Sequence, residues 1–218
     1  MCGIFSIVSE KDISLDFISK ILLELKIRGK HSTGISWIED GQLKTDIQAV
    51  ASDEYIIPNI KTKVIIGHTR YSTSSLEYNQ PITNKNIAVV HNGVITQKDY
   101  KHWKNEEYKF LTRNDSEYII KSFLLNKHPL IEYPDASIST CVLNKENKTL
   151  KYFRNDKRPL WYYQNETSII AISTKNIFER LDIQGSKKCE SCLEYEIDLN
   201  KKINIKKNKI TKSIKDLQ

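Results

Sequence analysis

The chain opens MCGIFSIVS, with cysteine at position 2 ahead of a short apolar run. An aminopeptidase removes Met1 readily when the next side chain is small. The chain would then begin with Cys2, which would carry a thiol and a free α-amine on one residue. The thiolate form of a thiol is a strong nucleophile. An α-amine has an unperturbed pKa of about 8, so it can serve as a base near neutral pH. Cys2 would thus hold nucleophile and base together, with no histidine needed. The plainer alternative is a buried, inert thiol at the head of a strand.

Three other stretches carry groups that such a nucleophile could use. In VVHNGVI (89–95), the Asn92 amide and the Gly93 N–H are two donors that, aimed at one point, form an oxyanion hole. Asn-Gly also favours a type I′ hairpin turn, which is the competing reading. In GHTRYST (67–73), Arg70 just past an apolar strand can clamp a carboxylate in two-pronged fashion, with Ser72 and Thr73 as added donors. An ordinary surface arginine would look the same. In RNDSEYII (113–120), Asp115 either caps a helix or binds a ligand ammonium. Arginine for a carboxylate and aspartate for an ammonium together would grip a free amino acid.

These groups need elements to hold them. GIFSIVS (3–9) reads as a buried strand, and 14–27 as a helix capped by Ser14, with Leu15, Ile18, Leu22 and Leu25 on one face and Gly29 as its stop. GISWIEDGQLKTDI reads as two strands about an Asp40-Gly41 turn. KVIIGHTR (63–70) and NIAVVHNG (86–93) are short apolar strands ending in polar residues, and 115–125 is a helix. Further strands are expected at 138–143, 149–154, 168–172, 193–198 and 203–211, with a short helix near 175–181. No linker, repeat or low-complexity segment interrupts this pattern. One domain over 2–218, α+β and sheet-rich, is the expectation.

Hydrophobic residues make up 39% and charged residues 28% of the 218, which fits a globular chain with a core. No apolar run reaches the ~18 residues that span a bilayer. No basic region followed by an apolar stretch marks a signal peptide. A cytoplasmic setting without membrane contact is therefore expected. The net charge is +7, from 34 Lys+Arg against 27 Asp+Glu, and much of it sits in NKKINIKKNKITKSIKD. That tail reads as a lysine-studded edge strand, which resists edge pairing, in preference to a nucleic-acid patch. Cys189 and Cys192, in CESC, have no second pair to complete a zinc site and read as plain thiols in a surface loop. No metal or cofactor is expected.

Taken in order, the Cys-Gly-Ile start, RGKHSTG (28–34), GHTRYST, NQPI (79–82), VVHNG and NDSEYII resemble the class II glutamine amidotransferase domain, of the N-terminal nucleophile hydrolases. The motifs cover roughly 2–120, and RNDKRPLWYY and SIIAISTKNIFERL carry the likeness to about 200. The resemblance implies a four-layer αββα sandwich. It implies Cys2 as nucleophile with its α-amine as general base, and Asn92 and Gly93 as the oxyanion hole. Arg70 would hold the α-carboxylate of L-glutamine and Asp115 its α-amine, with Tyr71 and Thr73 as further substrate contacts. Arg28 and Gly29 would form a supporting loop. Three positions depart from the pattern. Tyr71 replaces a tryptophan of some members, His31 stands where many have Asp, and Ser74 where some have His. The implied reaction is hydrolysis of glutamine to glutamate and ammonia through a γ-glutamyl thioester. The ammonia would pass to a separate synthetase or transferase subunit. The alternatives are a hydrolase of γ-glutamyl amides and a non-catalytic module that binds through its basic tail.

Overall fold

The computed structural model describes residues 2–71, 79–103 and 107–211. In chain order the strands are β1 (Gly3–Ser9), β2 (Ser32–Glu39), β3 (Gln42–Gln48), β4 (Val64–Arg70), β5 (Ile82–Thr83), β6 (Ile87–His91), β7 (Ser139–Asn144), β8 (Thr149–Arg154), β9 (Trp161–Gln164), β10 (Ser168–Ile172), β11 (Lys187–Lys188), β12 (Leu193–Asp198) and β13 (Lys206–Lys209). The helices are α1 (Leu15–Leu25), α2 (Glu117–Leu124), α3 (Pro129–Glu132) and α4 (Lys175–Arg180). The strands form two antiparallel sheets, ordered β11-β9-β10-β1-β4-β2-β3 and β13-β12-β8-β7-β6-β5.

Successive side chains of a strand face opposite sides, and this alternation builds the layers. Ile4 and Val8 of β1 and Val64 and Ile66 of β4 meet Ala88, Val90, Cys141, Leu143 and Tyr152 of the second sheet in one buried core. Phe5, Ile7 and Ile65 face the other way and pack on Ile18, Ile21, Leu22 and Leu25 of α1 and Ile177 and Phe178 of α4. Val89, Val142 and Phe153 leave the outer face of the second sheet and pack on Ile119 and Ile120 of α2. The layers are therefore helix, sheet, sheet, helix, as expected. Among the described residues no helix is long and apolar enough to cross a membrane.

Ser14 caps α1, its hydroxyl accepting from the Phe17 N–H at 3.0 Å. Leu15 is exposed and Ile21 takes its place on the buried face. The Asp40-Gly41 turn has φ of 50° and 71°, the left-handed pair of a type I′ hairpin. β5, β9, β11 and α3 were not among the expected elements, and the last strand is shorter, at Lys206–Lys209. The CESC reading is corrected at one residue. Cys189 is fully buried in the core between the sheets, while Cys192 is exposed. Burial pushes the Cys189 thiol well above its ordinary value and Cys141 up to about 12.

Candidate functional site

β1 and β4 run antiparallel with Gly3 opposite Thr69. One further step brings Cys2 opposite Arg70. Both have the parity of Ile4 and Ile66, so they share the strand positions that face the second sheet. Gly29 closes this end. A Cβ on it would lie 2.5 Å from the Arg70 backbone, so only glycine lets the 28–31 loop cross the end of β4. The loop is fastened there by the His31 N–H donating to the Arg70 carbonyl at 3.0 Å. Arg28 Nε donates to the Cys2 carbonyl at 3.3 Å. Burial lowers the Arg28 pKa; Cys2 opposes that shift and Arg158 adds to it. Arg70 Nη1 donates to Asn79 Oδ1 at 2.6 Å. Tyr71 is exposed, and its ring centroid lies 5.1 Å from that of His31. Ser72, Thr73 and Ser74 lie outside the described residues.

The Asn92-Gly93 pair continues past β6 and does not turn back. Asn92 N–H donates to the Ser139 carbonyl at 2.8 Å, and Val94 N–H to the Ser137 carbonyl at 3.0 Å. The hairpin reading is therefore excluded. Asn92 is buried, and its Nδ2 has no hydrogen-bond partner among the described residues. A buried amide without a partner costs free energy, which a ligand oxygen would recover. Gly93 has φ +155°, and a Cβ there would sit 1.8 Å from the Ser137 carbonyl oxygen. The Ser137 carbonyl fills the space a side chain would need, so only glycine fits there.

Asp115 does not cap α2. Its Oδ2 accepts from the Ile95 and Thr96 N–H groups at 2.6 and 3.2 Å. It is thereby tied to the chain immediately beyond Gly93. The adjoining Ser116 N–H is taken by Asn114 Oδ1 at 3.0 Å. Glu117, next along, is buried and accepts from Tyr108 Oη and from the Leu111 and Thr112 N–H groups at 2.7–2.8 Å, fixing the loop before Asp115.

Cys2, Arg28, Gly29 and Arg70 thus gather at one end of the first sheet, and Asn92, Gly93 and Asp115 at one end of the second. The Arg158 charge acts on a residue at each end. It lowers the pKa of both Arg28 and His91, although burial is the larger cause for each. Arg158, Asn79, His91 and Glu117 received no role from sequence reasoning. All four stood inside quoted stretches; Asn79 meets Arg70 nine residues away, while the His91 ring finds its partners 25 and 46 residues away. Among the described residues no three His, Cys, Asp or Glu side chains are grouped as metal ligands.

A family profile described as a glutamine amidotransferase domain matches residues 1–218. The isomerizing glutamine–fructose-6-phosphate aminotransferase of Wigglesworthia glossinidia brevipalpis is 31% identical over 136 residues, 58% of this chain and 22% of that protein. The Bacillus cereus enzyme of the same name is 28% identical over 181 residues, 73% of this chain and 30% of its own. Among solved structures, the glutamine phosphoribosylpyrophosphate amidotransferase of B. subtilis, complexed with ADP and GMP, superposes with a TM-score of 0.76 at 18% identity. That superposition covers 98% of this chain and 50% of the other, and at that identity it speaks for the fold. The matched stretch is under a third of either aminotransferase. A profile running the length of the chain and a shared sandwich lead to one conclusion: the chain belongs to the class II glutamine amidotransferase domains, glutamine-hydrolysing enzymes built on the N-terminal nucleophile hydrolase fold.

Proposed function

We propose that Cys2, freed by loss of Met1, is the nucleophile that cleaves the side-chain amide of L-glutamine. The α-amine takes the thiol proton, and the sulfur adds to the amide carbon. The resulting oxyanion accepts hydrogen bonds from Asn92 Nδ2 and the Gly93 N–H. The proton then passes to the departing nitrogen, the C–N bond breaks, and ammonia leaves a γ-glutamyl thioester on Cys2. Water adds to the thioester and releases glutamate with the thiol restored. Arg70, held by Asn79, binds the α-carboxylate, and the Asp115 oxygen not engaged by Ile95 and Thr96 binds the α-ammonium. Tyr71 and Thr73 flank the substrate, and Arg28 with Gly29 supports the Cys2 end. The single observation that carries the reading is the buried Asn92 amide without a partner, beside a glycine that tolerates no Cβ. An oxyanion donor of this kind is worth roughly 100–1,000-fold in kcat.

The test is intact-protein mass spectrometry after treatment with 6-diazo-5-oxo-norleucine, a glutamine-analogue electrophile. The expected product lacks Met1 and carries one adduct, on Cys2. Retained Met1, or an adduct on Cys141, Cys189 or Cys192 instead, refutes the mechanism. In this reading the ammonia goes to a separate synthetase or transferase subunit. Glutaminase activity should then be low alone and rise when that subunit is added. Full activity alone, with no partner recovered by pull-down, refutes that part.

A further inference from the structure

NQPI (79–82) holds a buried residue, Gln80, that has no part in the reaction as proposed. β5 pairs with β6 in the register Ile82 to Val89. Carried outward, that register sets Pro81 opposite Val90 and Gln80 opposite His91. Proline has no N–H, so it cannot extend the ladder. The Gln80 side chain takes over. Its Oε1 accepts from the His91 N–H at 2.6 Å and its Nε2 donates to the His91 carbonyl at 3.1 Å. One carboxamide thus gives His91 the acceptor and donor that a neighbouring peptide would give.

The same Nε2 donates to Ser116 Oγ at 3.1 Å, which leaves the hydroxyl proton for His91 Nδ1 at 3.0 Å. His91 Nε2 then carries the ring proton and donates to the Ser137 carbonyl at 3.1 Å. Gln80, His91 and Ser116 are all buried. Gln80 itself is lodged against β2, where a Cβ on Gly34 would come within 2.4 Å of its carbonyl oxygen. Its chain neighbour Asn79 holds Arg70, and Ser116 adjoins Asp115.

We infer that Gln80 is a positioning residue for the reaction. By gripping both backbone groups of His91 it sets the direction in which Asn92 and Gly93 leave β6, and through Ser116 it keeps them in register with the start of α2. The inference rests on the oxyanion role proposed for Asn92. Gln80 touches no substrate atom, so its effect must pass through Asn92 and Gly93.

The test is a double-mutant cycle on the whole chain with Gln80→Met and Asn92→Ala, read by kcat for glutamine and by product inhibition by glutamate. Gln80→Met should lower kcat by roughly 10–100-fold, short of the loss from deleting a donor outright. The Ki of glutamate, which needs only the Arg70 and Asp115 grip, should stay within about twofold. Because Gln80 acts through Asn92, the double variant should be no slower than Asn92→Ala alone, a coupling that independent sites lack. Gln80→Glu has nearly the same shape and sets an oxygen against the His91 carbonyl. It should move kcat the same way, and it serves if Gln80→Met does not fold. Additive losses, an unchanged kcat in a folded Gln80 variant, or a glutamate Ki that rises in parallel overturns the inference alone. An unchanged kcat in Asn92→Ala sinks the oxyanion reading and the inference with it.

Discussion

His68 makes stability a steep function of pH, and the slope can be worked out in advance. It sits two residues before Arg70 on β4, fully buried, and neither ring nitrogen has a hydrogen-bond partner among the described residues. Burial first, then the charges of Arg70 and His91, lowers its pKa to about 3, against a smaller opposing pull from the His91 backbone. In the unfolded chain a histidine titrates near 6.5. Between these values the unfolded state binds a proton that the folded state refuses, so stability rises with pH across that window and falls as pH drops below about 6.5. One such group contributes about 1.4 kcal/mol per pH unit, or about 2 kcal/mol lost at pH 5. His91, also pushed down chiefly by burial, adds in the same direction. The buried carboxylate of Glu194 is held near 2 by His128 and Lys151 despite its burial, so its contribution is lost only at lower pH. Urea unfolding at several pH values between about 7 and 5, at fixed ionic strength, measures the slope. The wild type should lose about 2–4 kcal/mol over that range, and His68→Leu about 2 kcal/mol less. A flat profile, or the same slope in His68→Leu, refutes the argument.

Gly93→Ala should lose both activity and stability. Its Cβ would meet the Ser137 carbonyl oxygen at 1.8 Å, and a backbone atom cannot rotate away; thermal unfolding and kcat measure this, and a variant as stable and active as the wild type contradicts the geometry. Asp115→Asn keeps an acceptor for the Ile95 N–H and loses the charge proposed to face the substrate ammonium. The KM for glutamine should rise by roughly tenfold or more, about the worth of one charged hydrogen bond, while an analogue lacking the α-amine is little affected; equal changes for both refute the ammonium role. Lys151→Met strips the half-buried ammonium that donates to Glu194 Oε1 at 2.8 Å. Leaving that buried carboxylate with only His128, whose Nε2 lies 3.6 Å from its Oε2, should cost about 3 kcal/mol, and adding Glu194→Gln should recover most of it in urea unfolding. No recovery would mean that the pair is not what the cost measures.

Legibility followed the range of the interactions. β1, α1 with its Ser14 cap, and the β2–β3 hairpin depend on alternation, capping and a turn dipeptide within a dozen residues, and all three were readable. The short β9 and the edge strand β11 exist because their neighbours pair with them, and α3 is a single turn begun by Pro129. None of these has a periodic pattern long enough to register. The cap reading of Asp115 and the hairpin reading of Asn92-Gly93 were sound locally and failed for a shared reason. Asp115 is drawn to the N–H groups of Ile95 and Thr96, 19–20 residues away, and Asn92 to Ser139, 47 residues away.

The same distances explain why the motifs were informative together and weak apart. A Cβ on Gly29 would strike Arg70, on Gly34 Gln80, and on Gly93 Ser137. Each glycine therefore marks a point where one motif's backbone presses on another segment. Three of these segments meet at the end of the sandwich where Cys2 enters β1, β4 ends at Arg70 and β6 ends at His91. No single motif can assemble there, because each leans on a contact that another segment supplies. The order of motifs along the chain is thus the trace of a packing arrangement. That arrangement presents a thiol, an arginine and an unpartnered amide from the inward-facing positions of two sheets. A substitution at a contact glycine should accordingly disturb a neighbouring motif's residue more than its own. Gly34→Ala makes that concrete: it should shift Gln80 and so lower kcat through Asn92, though Gly34 itself touches none of the reacting groups.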